Sequence, residues 1–148
     1  NCVVRAEKII IATGSEPRNI PAFPCDHEKI LDSTSMLEQT SLPNKIAIIG
    51  GGVIGCEFAA LYHAFGVEVT VLEMMNAIIP MECPSVSNAL TTAFKKKGIK
   101  VRTGVMVQKI DRVGDGVVVR LADGDLVEAD VALVSVGRVL NTARIGLE

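Results

Sequence analysis

The chain has 148 residues, 49% of them hydrophobic and 22% charged, which suits one well-buried core in a soluble globular domain. A net charge of −2 and an acidic pI give no broad basic surface for nucleic acid. With no tryptophan and 3% aromatics there is little to stack bases on, and no apolar run reaches the ~18 residues of a membrane span.

In chain order, residues 9–12 are an unbroken run rich in β-branched side chains that reads as a buried strand, ended by Thr13, Gly14 and Ser15. Pro17, Pro21 and Pro24 then exclude regular structure, and the segment reads as an extended crossing. Ser33 or Thr34 is placed to cap a short helix through Met36 to Glu38. Next come a strand at 46–49, a glycine turn, a helix over about 53–65 stopped by Gly66, and a strand at 67–72. Lys45 to Glu73 is thus one βαβ unit of about thirty residues, the length of a right-handed parallel crossover. A second helix at 85–97, stopped by Gly98, leads to a third parallel strand at 99–102. Residues 105–112, 116–122 and 125–128 alternate apolar and polar around glycine turns, which predicts an antiparallel meander. The continuous apolar run 131–136 returns to the parallel sheet and ends at Gly137 and Arg138. The expected architecture is α/β and Rossmann-like: a parallel sheet with helices on one face and the meander on the other.

Cys2, Cys25, Cys56 and Cys83 are scattered without a close pair and read as reduced thiols. Cys25 and His27 alone make a poor metal site, so none is expected. No targeting sequence opens the chain, and a reducing compartment, the cytoplasm or a mitochondrial matrix, is expected. The start at Asn1 beside a strand suggests a piece of a longer protein.

The chemistry concentrates at KIAIIGGGVIGCE, where Gly50, Gly52 and Gly55 have the G-x-G-x-x-G spacing between a strand and a helix. Gly50 permits the tight turn, Gly52 removes a side chain that would meet a pyrophosphate, and Gly55 lets helix and strand pack closely. The helix N-terminus then offers free N–H groups to the anion. Glu73 closes the second strand eighteen residues after Gly55, where a carboxylate can accept the ribose hydroxyls of adenosine and repel a 2′-phosphate. With no arginine between Met74 and Ile79, NAD is favoured over NADP. Glu57 reads as an acid on the first turn or so of the glycine-loop helix, favoured by its dipole.

Together IIIATGSEP, IIGGGVIGCEFA, VTVLE and SVGRVLNT resemble the pyridine nucleotide-disulfide oxidoreductases over nearly the whole chain, in particular those members that oxidise dihydrolipoamide. The resemblance implies that residues 45–137 are the NAD-binding domain, 1–44 a crossing strand and linker from the FAD domain, and 138–148 the start of the return. It implies NAD contacts from Gly50, Gly51, Gly52, Val53, Ile54, Gly55 and Glu73, with Val107 on the adenine side and Gly137 near the nicotinamide. Glu57 matches the glutamate that pairs with a lysine beside the flavin, and Thr13, Gly14 and Ser15 match the segment that approaches FAD. Arg138 is either a domain-junction residue or a surface arginine. Leu140 departs from the proline of the family's G-R-x-P-N-T, which loosens that turn.

The family's redox disulfide and FAD-binding glycine loop do not occur among these residues, and the histidine base of its interface domain is matched by neither His27 nor His63. This stretch is therefore expected to supply binding and no catalytic residue. The parent implied is a homodimeric flavoenzyme of a 2-oxo acid dehydrogenase complex, passing hydride from a dithiol through FAD to NAD. A related flavoenzyme, such as a soluble transhydrogenase, mercuric reductase or NADH oxidase, remains an alternative, as do a free-standing nucleotide-sensing module and a structural fragment without nucleotide affinity.

Overall fold

The computed structural model describes residues 3–143 and 145–146, so Cys2 lies outside the described residues. Its strands are β1 (Ser15–Pro17), β2 (Ile30–Leu31), β3 (Lys45–Ile49), β4 (Glu68–Glu73), β5 (Lys100–Thr103), β6 (Val107–Val113), β7 (Gly116–Leu121), β8 (Leu126–Ala129), β9 (Val131–Val134) and β10 (Arg138–Leu140). The helices are α1 (Ser33–Leu37), α2 (Val53–Ala64) and α3 (Pro84–Lys97).

A five-stranded parallel sheet in the order β2-β9-β3-β4-β5 forms the middle layer. Side chains alternate across it. In β3, Ile46 and Ile48 join the core that holds Cys56, Phe58, Ala59 and Tyr62 of α2 and Phe94 of α3. Ala47 and Ile49 face the other way, with Val117, Val119 and Leu121 of the β6-β7-β8 meander and Ile110 of β6. A strand covered on both faces must be apolar throughout, which is why β3 and β9 read as continuous runs. The expected layers, helices on one face and the meander on the other, are those observed.

The helix signals follow capping chemistry. Gly66 and Gly98 both take positive φ just past helix ends, and Gly98 is the left-handed cap of α3. Pro84 occupies the first turn of α3, where its missing N–H costs nothing. The cap of α1 is Asp32 rather than Ser33 or Thr34: its Oδ1 accepts from Thr34 and Ser35 N–H at 2.9 and 2.7 Å, and Ser35 Oγ accepts from Asp32 N–H at 3.0 Å. An ionised oxygen accepts more strongly than a hydroxyl, so the acid takes the cap.

Two pairings have no local signal. Ile30–Leu31 joins the sheet as an edge strand parallel to β9, and β1 pairs antiparallel with β10. Leu140, in place of the family proline, sits in that ribbon opposite Ser15, so the segment is a strand end and not a loosened turn. Residues 9–12 form no strand; Ile9 and Ile10 are 82% and 91% exposed. A β-branched run needs a neighbouring strand to order it, and among the described residues none pairs with this one.

Two outcomes follow. Leu133→Ala empties a fully buried position in the helix-side core and should cost about 2–5 kcal/mol, measured by urea unfolding. The exposed Val3, Val4, Ile9 and Ile10 should drive self-association, so light scattering should give a mass above 15.7 kDa that Ile9→Ser with Ile10→Ser returns to the monomer.

Candidate functional site

The glycine loop leaves β3 under tight steric control. Gly50 has φ +103 and donates its N–H to the Leu72 carbonyl at 2.8 Å; a Cβ there would stand 2.4 Å from the Ser135 carbonyl oxygen. At Gly55 a Cβ would stand 2.0 Å from the Gly50 carbonyl oxygen. Both glycines thus exist because protein backbone passes close by. Gly52 differs: a Cβ on it would meet nothing within 4 Å. It opens α2 in extended conformation and offers no side-chain cap, so the first-turn N–H groups lack that partner. A hydroxyl completes the turn, with Ser135 Oγ 3.1 Å from the Ile49 carbonyl oxygen and 3.0 Å from that of Gly50.

Glu73, the last residue of β4, is 8% exposed and not a solvated strand end. Its Oε2 accepts the Gly51 N–H at 2.6 Å and its Oε1 the Met75 N–H at 2.7 Å. An ionised carboxylate has about four acceptor positions, so about two are left toward the cleft that Glu73 lines. The Gly51 carbonyl in turn accepts from Ile79 N–H at 2.7 Å and lies 3.4 Å from Cys56 Sγ. Gly51 has no room for a Cβ, which would fall 2.8 Å from Ile78 Cγ2. Ile79 is a β-branched residue at φ +43, a costly conformation held by that hydrogen bond and by burial. Burial, then the charge of Glu73, pushes the Cys56 thiol up to about 11, so it packs as an inert thiol.

A mainly apolar cleft of about 640 Å³ opens at the C-terminal ends of β3, β4 and β9. Of the residues expected at the nucleotide, Gly50, Gly52, Val53, Ile54, Glu73, Val107 and Gly137 line it. Gly51 and Gly55 stand behind the lining as packing positions. The sequence argument missed Arg18, Phe23, Met74, Met81, Met106 and Ser135, which also line the cleft. Arg18 belongs to the Gly137 end, its Nε 3.7 Å from where a Gly137 Cβ would be, and its N–H donates to the Gly137 carbonyl at 3.0 Å. Only Met74 had a signal, its place directly after Glu73.

Other expected residues fall outside the cleft. Glu57 is exposed at the start of the second turn of α2, where the dipole it was expected to answer has largely fallen off. Thr13 and Gly14 are exposed, the Gly14 carbonyl accepting from Asn141 N–H at 3.0 Å. Ser15 is held by Arg138, whose Nε donates to its Oγ at 2.7 Å while a second guanidinium nitrogen donates to its carbonyl. Arg138 is thus the clasp of the β1–β10 ribbon. His63 stands five residues before Glu68, so an H-x-x-x-x-E spacing does occur, but Glu68 pairs with Lys100 at 2.6 Å at the opposite end of the sheet from the cleft. His27 lies 3.8 Å from Asp32, and burial with Asp32 and Asp26 nearby pushes the Cys25 thiol up to about 11.

The comparisons with known proteins agree with one another. The family model described as pyridine nucleotide-disulphide oxidoreductase matches residues 2–148. The chain is 45% identical to a dihydrolipoyl dehydrogenase of Chlamydia muridarum over 99% of its own length and 32% of that protein. It is 38% identical to a soluble pyridine nucleotide transhydrogenase of Photorhabdus laumondii, over 99% of this chain and 31% of the relative. Among solved structures, LpdA of Mycobacterium tuberculosis superposes with a TM-score of 0.84 at 33% identity, covering 91% of this chain and 29% of that one. The chain therefore spans about a third of the length of the curated relatives it matches. A match to the family model over residues 2–148, joined to the glycine turn and parallel sheet of a Rossmann-like fold, means that the chain belongs to the pyridine nucleotide-disulphide oxidoreductase family.

Proposed function

We propose that this chain is the NAD-binding part of a flavoenzyme resembling dihydrolipoyl dehydrogenase. The observation that carries the reading is Glu73: a buried carboxylate, fixed by Gly51 and Met75 N–H groups, that lines the cleft with Gly52, the motif glycine whose Cβ direction is empty. The cleft fits a dinucleotide. Gly52 leaves room for a pyrophosphate at the N-terminus of α2, and Glu73 has acceptor positions free for ribose hydroxyls. Val107 then lies on the adenine side, and Gly137, at the other end of the cleft with Arg18, borders the nicotinamide.

In this reading residues 45–137 are the NAD domain, and 1–44 and 138–148 lead to and from the FAD domain. The β1–β10 ribbon supports that division, since it ties the two crossing segments together through Arg138 and Ser15. Thr13 to Ser15 then approach the flavin, and the exposed Glu57 carboxylate is available to a lysine of the FAD domain. NAD, when bound, supplies the hydride acceptor; these residues bind and orient it, and the chain alone turns over no dithiol. The whole protein would be a homodimer serving a 2-oxo acid dehydrogenase complex. The transhydrogenase relative gives a second reading, which predicts that the chain also holds NADPH.

Calorimetric titration distinguishes these. NADH should bind, with NADPH at least about tenfold weaker because its 2′-phosphate meets the Glu73 charge. No heat at millimolar NADH would overturn the assignment, and equal affinities would favour the transhydrogenase reading. Glu73→Gln should weaken NADH binding and also lower stability by about 1–3 kcal/mol, because an amide nitrogen cannot accept a buried N–H. The two open-and-shut glycines separate binding from folding: Gly52→Ala should keep the melting temperature and lose NADH affinity by roughly tenfold or more, whereas Gly55→Ala should destabilise the loop itself.

A further inference from the structure

Four of the five methionines, Met74, Met75, Met81 and Met106, are gathered at one end of the molecule, and three of them line the nucleotide cleft. Met74, Met81 and Met106 are 59%, 94% and 53% exposed, while the fifth, Met36, is 2% exposed in the core. They come from separate segments, the end of β4, the loop before α3 and the turn before β6, so the fold and not a local repeat collects them. The loop carrying Met81 is pinned to the glycine turn through the Ile79–Gly51 hydrogen bond. The segment carrying Met106 is joined to the Met75 and Glu73 carbonyls by the N–H groups of Gly104 and Val105, at 2.8 and 3.0 Å. The three segments are therefore fixed around the cleft, and their thioethers line it while open to solvent.

Thioethers are soft and apolar, and suit a wall against a flat base or ribose carbon. Oxidation reverses that character: the sulfoxide is polar and chiral. We propose that Met74, Met81 and Met106 form an oxidation-sensitive wall through which peroxide lowers the affinity of the cleft for nicotinamide dinucleotide; this rests on the binding reading above. In each event the sulfur lone pair takes one oxygen atom from hydrogen peroxide, the O–O bond breaks and water leaves, so the thioether is oxidised by two electrons as the peroxide is reduced. Cys83 is exposed nearby, and Cys25 and Cys56 are also present, so thiol oxidation must be separated from thioether oxidation.

The test treats the full 148-residue chain with hydrogen peroxide, confirms by peptide mass spectrometry that Met74, Met81 and Met106, with the also exposed Met75, gain oxygen and Met36 does not, and titrates NADH before and after. Affinity should fall roughly tenfold with the melting curve retained, stay low in dithiothreitol alone, and recover when methionine sulfoxide reductases A and B are added with it. A chain carrying Met74→Leu, Met81→Leu and Met106→Leu should show the same affinity before and after peroxide, whatever its starting value. Equal loss in that variant, or recovery with dithiothreitol alone, would overturn the inference while leaving the NAD reading intact. Absence of NADH binding before oxidation would overturn both.

Discussion

The hydrogen bond from the Gly51 N–H to the Glu73 carboxylate is the constraint on which the cleft depends. It joins the residue that ends β4 to the turn that leaves β3, across strands whose register pairs Ile49 with Leu72. Glu73, one residue beyond that pair, reaches Gly51, two beyond it. A buried bond to an ionised acceptor contributes about 1.5–3 kcal/mol, and leaving either partner alone costs a similar amount. The same carboxylate that lines the cleft is thus a structural member, so the loop is already in place without a ligand. Pre-organisation of this kind saves the ordering entropy that a floppy loop would lose on binding.

The parallel sheet supplies the rest of the placement. Its order runs outward from β3 in both directions, to β4 and β5 on one side and to β9 and β2 on the other. Connections leaving neighbouring strands in opposite directions open a crevice at their C-terminal ends, and the cleft lies there, between Gly50, Glu73 and Ser135. Small residues at Ala47 and Ala132, both fully buried, serve the meander side of the sheet. The larger Ile46, Ile48 and Leu133 fill the helix side.

Much of this was legible because it is local. Glycine stops after α2 and α3, the period-two alternation of the meander and the continuous runs of β3 and β9 each carry their meaning within a few residues. What was not legible is what distant segments do to one another. Nothing near Ile30 says that it will pair with Ala132, and nothing near Met81 or Met106 says that they share a cleft with Met74. Residues 9–12 show the reverse failure: their β-branched character promises a strand, but a strand is a relation between segments and no described residue pairs with them. Asp32 and Ser33 compete for the same cap within one residue, and carboxylate strength decides it.

The three motif glycines carry unequal meanings that the spacing alone does not separate. Gly50 and Gly55 are required by the protein: the first by a positive φ under the Ser135 carbonyl, the second by the Gly50 carbonyl oxygen lying where its Cβ would be. A protein with no ligand would need both to fold this turn. Gly52 is required by nothing in the chain, since its Cβ direction is empty and its backbone is one that any residue adopts. Of the three, it alone lacks a reason within the described residues, and the proposed function supplies one, a pyrophosphate in the cleft beside Glu73. The pattern that names the fold is therefore mostly a statement about packing, and its functional content rests on one glycine and one carboxylate.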